Sequence, residues 1–153
     1  MARQLIKGMT MLLMIVALAF ATAVASNAQS AANVPFEFMA GNKSLPAGHY
    51  YISNSTSGGE VVRIRAAKNE TSVFSMTMRV IKGTAAEESK LVFHRYGNRY
   101  FLAEIWRAGE TEGQKLLKSR EEKAIEREWA SITSKSELAQ RGYERVEIAL
   151  VRQ

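Results

Sequence analysis

Leu-Val-Phe-His-Arg-Tyr-Gly-Asn-Arg-Tyr-Phe-Leu-Ala-Glu-Ile-Trp, from Leu91 to Trp106, is the most aromatic stretch of the chain. Its centre, Gly97-Asn98, is a favoured two-residue hairpin loop between two runs rich in aromatic and β-branched residues. With those two residues as the loop, Arg95 is expected opposite Tyr100, His94 opposite Phe101, and Phe93 opposite Leu102. One face then carries Leu91, Phe93, Arg95, Tyr100, Leu102, Glu104 and Trp106. The other carries Val92, His94, Tyr96, Arg99, Phe101, Ala103 and Ile105. Both faces are largely apolar away from the turn, so the hairpin is expected to lie centrally in a sheet with its tip in solvent.

Strand signals continue on both sides. Val34, Phe36 and Phe38 alternate with Pro35, Glu37 and Met39, the period of a half-buried strand. Pro35 cannot donate a ladder hydrogen bond, so this strand should start there or lie at an edge. Leu45-Pro46-Ala47-Gly48 reads as a turn leading into His49 to Asn54, with Tyr50 and Ile52 on one face and His49 and Tyr51 on the other. After a Ser55 to Gly59 loop, Val62, Ile64 and Ala66 alternate with Val61, Arg63 and Arg65. Lys68-Asn69-Glu70 makes the next reversal. Phe74, Met76, Met78 and Val80 then form an apolar face opposite Val73, Ser75, Thr77 and Arg79. At strand spacing beside Phe74, Met76 and Met78 read as core filler. Lys82 to Ser89 reads as a long polar connection.

Beyond a loop marked by Gly109 and Gly113 the period changes. Ser119-Arg120-Glu121-Glu122 fits a capping box, and Ile125, Trp129 and Ile132 recur at helical spacing. Glu122 with Glu126 and Lys123 with Arg127 place like charges four apart, which disfavours an isolated helix. This helix is therefore expected to depend on Ile125 and Trp129 packing against the sheet. Ser134 to Gln140 is read as a further short helical turn stopped by Gly142. Val146, Ile148 and Leu150 alternate in a closing strand. The fold class expected is mainly β: one antiparallel β-sandwich or partly open β-barrel of about seven strands, with a helix in the C-terminal half packed on it.

The chain begins differently. Arg3 and Lys7 precede an uncharged apolar run, Met9 to Ala21, and small residues follow in Ala23-Val24-Ala25 and Ser26-Asn27-Ala28. This is the order of a secretory signal peptide. Residues 1–28 are read as the leader, with cleavage after Ala28 and Ala25 as the alternative position; residues 29–153 form a single β-rich domain. An uncleaved anchor is the competing reading, but the apolar run is shorter than the roughly 20 residues a spanning helix needs. The expected product is secreted or periplasmic, with no stable membrane span after cleavage. Its 19 basic and 15 acidic residues give a net charge of +4 spread along the chain. Without a basic block, nucleic acid is not an expected partner.

Composition narrows the chemistry. The 153-residue chain has no Cys, and all 15 acidic residues are Glu. Thiol catalysis, disulfide scaffolds, Cys-ligated metals, aspartic dyads and Asp-containing triads are thereby excluded. No catalytic, metal or cofactor residues are assigned.

The segments Val34-Pro35-Phe36-Glu37-Phe38, Leu45-Pro46-Ala47-Gly48-His49-Tyr50, Leu91 to Gly97, Tyr100-Phe101-Leu102 and Lys118-Ser119-Arg120-Glu121 resemble a family of small exported bacterial β-proteins. The resemblance runs from Val34 to Glu122 and is strongest in the aromatic hairpin. It implies export and a β fold. That family has no assigned activity and offers no catalytic residues to carry over.

His94 would need partners to act as a metal ligand or catalyst. His49 is the only other imidazole, and no metal-binding spacing such as HExxH surrounds either. Glu104 or Glu37 are the carboxylates considered for completing such a site in space; a structural histidine bonded within the hairpin is the preferred reading. Arg95, Tyr96, Arg99 and Tyr100 mix charge and ring faces around the turn, suited to stacking on a sugar, an aromatic ligand or nucleic acid. Their simpler reading is a cross-strand ladder in which Arg stems cover Tyr rings. His94, Arg95, Tyr96, Arg99 and Tyr100 are the candidate surface for a ligand or partner. Ser119 lacks a nucleophile context and serves as a helix cap. Asn42-Lys43-Ser44, Asn54-Ser55-Thr56 and Asn69-Glu70-Thr71 match a glycosylation sequon that matters only in a eukaryotic secretory pathway.

The function expected is a non-enzymatic exported β-domain that binds an envelope protein, glycan or small ligand. A small β-barrel carrying an apolar ligand between the hairpin and the Trp129 helix is the second reading, and an envelope enzyme the third.

Overall fold

The computed structural model describes residues 29–69, 71–132 and 142–152. Within them the chain forms, in order, β1 (Ser30–Val34), β2 (Phe38–Ala40), β3 (Lys43–Leu45), β4 (Gly48–Asn54), β5 (Val61–Ala66), β6 (Ser72–Ile81), β7 (Lys90–Tyr96), β8 (Arg99–Trp106), β9 (Glu112–Leu116), α1 (Arg120–Ile132), β10 (Glu144–Ala149) and β11 (Val151–Arg152). The proposed leader and the turn expected over Ser134 to Gln140 lie outside the described residues.

The mainly β class matches the sequence reading, but the sheet has eleven strands instead of about seven. Pro35, with no N–H to give, splits the expected Val34 to Phe38 strand into β1 and β2. Gly41, at φ 59°, turns β2 directly into the three-residue β3. The segment read as a loop around Gly113 is β9, paired with both β6 and β8.

The strand order is β10-β7-β8-β9-β6-β5-β4-β1-β11, with the β2–β3 hairpin attached through β2 to β8. The sheet is not closed by a continuous ladder. Its ends are nevertheless consecutive in sequence, since Leu150 alone separates β10 from β11. Nine flat strands would span roughly 38 Å, whereas one residue reaches only about 3.5 Å. The sheet must therefore curl until its edges approach, and β1 does pack near β10.

Curling creates an inside and an outside. Inward side chains from β1 to β10 form one apolar cluster containing Val34, Phe38, Tyr50, Ile52, Val62, Ile64, Leu91, Phe93, Leu102 and Ile105, closed by Leu150. Tyr50 and Ile52 share the buried face as expected, and the Tyr50 hydroxyl donates to the Pro46 carbonyl at 2.5 Å, pinning the Leu45 to Gly48 turn. Outside, Tyr96, Phe101 and Ile125 form a second cluster with Met39 and Trp129, which is where α1 lies on the sheet.

The β7–β8 register has the expected pairs Arg95 with Tyr100, His94 with Phe101, and Phe93 with Leu102. A bulge follows: Phe93 pairs with Leu102 but Val92 with Glu104, so Ala103 is the extra residue. Beyond a bulge the strand's alternation inverts relative to its partner. Ile105 consequently joins Leu91 and Phe93 in the interior, and Glu104 and Trp106 turn outward, the reverse of the expected assignment.

A second correction concerns β6. Its buried side is Val73 and Ser75, while Phe74, Met76 and Met78 are 61%, 64% and 55% exposed. They are not core filler. Register explains the reversal: Ile64, which is buried, pairs with Val73, and Arg63 with Phe74. Directly paired residues share a face, so β5 forces Phe74 outward.

Candidate functional site

The two sides of the β7–β8 hairpin present different chemistry. On the outer side, His94 and Tyr96 project beneath α1. Ser119 caps that helix, its Oγ accepting the Glu122 N–H at 3.0 Å. The expected reciprocal half of the capping box is replaced: the Glu122 side chain, 3% exposed as a residue, turns to the sheet and lies 2.9 Å from His94 Nδ1. A carboxylate only accepts, so the imidazole is set with its Nδ1–H toward Glu122. The Tyr96 hydroxyl donates to Glu126 at 2.7 Å and reaches Glu122 at 3.3 Å. Lys118 completes the group by donating to Glu126.

Burial, followed by the bond to Glu126 and the nearby Glu122 and Glu126 charges, pushes the Tyr96 phenol far above its usual range. For Glu126, burial alone acts upward, but hydrogen bonds from Lys118 and Tyr96 outweigh it and hold the carboxyl below its ordinary value. Rings seal the cluster. Tyr143 stacks on His94 with centroids 3.7 Å apart, and Trp129 meets Tyr96 edge-on at 5.3 Å. This is a buried bracket that clamps helix to sheet, not an open reaction site.

His49 takes no part in it. It is exposed on β4, which is not a neighbour of β7 in the sheet. Glu104 instead accepts from the Trp106 indole at 2.8 Å and from Arg145 at 3.2 Å, and Glu37 accepts from Ser44 at 2.5 Å. The carboxylate that does meet His94 is Glu122, whose sequence signal was its position three residues after the capping serine. Among the described residues no group of three or more potential ligands is arranged to hold a metal ion, and no helix is long and apolar enough to cross a membrane.

The hairpin tip differs. Arg95 lies 5.5 Å over the Tyr100 ring, the expected ladder arrangement, while its guanidinium donates to the Gly97 carbonyl at 2.8 Å and to Glu144 at 2.9 Å. Tyr100 also stacks on Phe36, with centroids 3.8 Å apart. Arg99 reaches across to Glu121 at the start of α1. Between this tip, the β2–β3 hairpin and the helix start is a cavity of about 480 Å³ lined by Glu37, Phe38, Met39, Asn42, Ser44, Asn98, Arg99, Tyr100 and Glu121.

The five candidate surface residues are thus divided. His94 and Tyr96 are buried in the bracket, Arg95 is engaged in the ladder, and Arg99 with Tyr100 faces the cavity. The β2–β3 contribution, Asn42 and Ser44, stands out in the sequence only as part of a glycosylation sequon, because that hairpin reaches β8 through a long-range parallel pairing, Met39 with Phe101. Asn42 also accepts the Arg120 N–H at 3.2 Å, so this hairpin and α1 meet directly at the cavity rim.

Comparison with protein-family models, curated proteins and solved structures returns no match.

Proposed function

We propose that the protein is an exported, non-enzymatic β-domain, a partly open barrel, that binds a glycan, small polar ligand or envelope protein at the hairpin tip. The observation that carries this reading is the cavity of about 480 Å³ at the tip, in which the Tyr100 and Phe38 side chains stand among the amides, hydroxyl and charges of Asn42, Asn98, Ser44, Arg99, Glu37 and Glu121. Apolar and aromatic side chains beside a few convergent polar groups are the makeup of a recognition site for a small ligand. Export is supported by the order of charge, apolar run and small residues over Met1 to Ala28 and by the resemblance of the hairpin and turn segments. The interface between hairpin and helix is filled by Tyr96, Phe101 and Ile125, which favours the tip over that interface as the binding place.

Affinity capture from envelope extracts tests the proposal, using the wild-type chain and the Tyr100→Ala and Arg99→Ala variants. The expected result is a saturable glycan or protein partner held by the wild type and lost from both variants. No saturable binding, or equal retention by the variants, contradicts it. Intact mass of the envelope product tests export separately, with loss of residues 1–28 expected and full mass within the cytosol contradicting it.

A further inference from the structure

We propose that the outward face of β5 and β6 docks the protein on an anionic lipid surface, through a site separate from the hairpin-tip cavity. The register places Phe74 beside Arg63, Met76 beside Val61 and Met78 beside Lys115. Leu117 continues this face, its N–H donating to the Met76 carbonyl at 3.2 Å, and is 43% exposed. A contiguous run of exposed Phe, Met and Leu side chains is unusual on a free surface and marks a contact site.

Charge selects the occupant. Arg65 lies 4.7 Å over the Tyr51 ring and Arg63 5.8 Å over the Phe74 ring. Together with Ser53 and Gln29, Tyr51, Arg63 and Arg65 line a recess of about 340 Å³ beside the apolar strip. The residues that β4, β5, β6 and β9 turn to this side bring Arg63, Arg65 and Lys115 and no acidic side chain; Glu104 borders them beyond Lys115. Lipid phosphates meet the guanidinium groups in the recess while Phe74, Met76 and Met78 sit at the acyl boundary, the division that interfacial binding requires. Methionine suits this role because its unbranched thioether adapts to an irregular apolar surface.

Because the chain has no Cys, a Met78→Cys substitution on the full chain carries a single environment-sensitive nitrobenzoxadiazole label. The expected result is a blue shift with vesicles containing phosphatidylglycerol, absent with phosphatidylcholine vesicles and weakened by salt. The same label at Asn98→Cys should not shift, which separates this face from any contribution of Met1 to Ala28. Adding Arg63→Gln and Arg65→Gln should weaken the response by roughly tenfold or more, as two interfacial charges imply. An equal response to neutral vesicles, or equal shifts at both label positions, overturns the proposal. So does a shift that grows with protein concentration in the absence of vesicles, which assigns the face to a second copy. If the double arginine variant does not fold, the vesicle-charge and salt comparisons on the labelled parent decide alone. Failure here leaves the hairpin-tip cavity untouched.

Discussion

His94 Nδ1 lies 2.9 Å from Glu122 Oε1, with both side chains 4% exposed, joining strand β7 to helix α1 across 28 positions of sequence. Replacing Glu122 with Ala removes the acceptor of the imidazole N–H and one partner of the Tyr96 hydroxyl. A buried donor left without its partner costs about 1–3 kcal/mol. Urea unfolding should show Glu122→Ala less stable by that amount. An unchanged midpoint would mean that the bracket adds nothing to the helix–sheet contact.

Tyr96 supplies a pH signature. Its phenol is raised by burial and by the Glu122 and Glu126 carboxylates, while in the unfolded chain it ionises near pH 10. The fold thus retains a proton that the unfolded chain gives up, so the associated stability is intact below about pH 10 and falls as pH rises toward the folded value. Tyr96→Phe should flatten this alkaline decline, leaving the share of Tyr50, which burial also raises. Unfolding midpoints compared at about pH 8 and about pH 11 measure the difference. An equally steep decline in the variant would refute the assignment.

The outward placement of β6 can be tested by contrast with the interior. Met76 is 64% exposed and Ile64 1% exposed. Met76→Ser should change stability by no more than about 0.5 kcal/mol, whereas Ile64→Ala should cost about 2–5 kcal/mol. A costly Met76→Ser in denaturant titration would restore the core-filler reading.

Gly113 is fitted to its neighbour. A Cβ there would come within 2.8 Å of the Trp106 ring, and the indole is held by its bond to Glu104 and by Lys82 lying 4.2 Å over its face. Gly113→Ala should therefore destabilise the protein by about 1–3 kcal/mol through overpacking. Equal stability of variant and wild type, read by thermal unfolding with intact β circular dichroism, would show that the ring moves freely.

These residues also show how far sequence reading reached. Local signals held where one element decides the outcome: the Gly97-Asn98 turn and its first three pairs, the Leu45 to Gly48 turn, the Ser119 cap, and Ile125 with Trp129 on the sheet. They failed where a partner decides. Alternation along β6 reports an apolar face but not which way it points, and only pairing with β5 turns Phe74 outward. The Ala103 bulge inverts the far half of β8 with no glycine to mark it. Glu122 satisfied a capping pattern, yet its carboxylate meets the buried His94 imidazole at 2.9 Å in place of the Ser119 N–H. Arg99 and Tyr100 stand out in the hairpin sequence, and both line the cavity at its tip. The wall opposite them, Asn42 and Ser44, depends on a long-range parallel contact that no local pattern encodes.

The most direct test of the binding account is a nitrogen-15 chemical-shift titration of the full chain with soluble glycan fragments from envelope extracts. The account predicts saturable shifts at the amides of Ser44, Asn98, Arg99 and Tyr100, abolished in Tyr100→Ala. Saturable shifts elsewhere, with the hairpin tip silent, would contradict it.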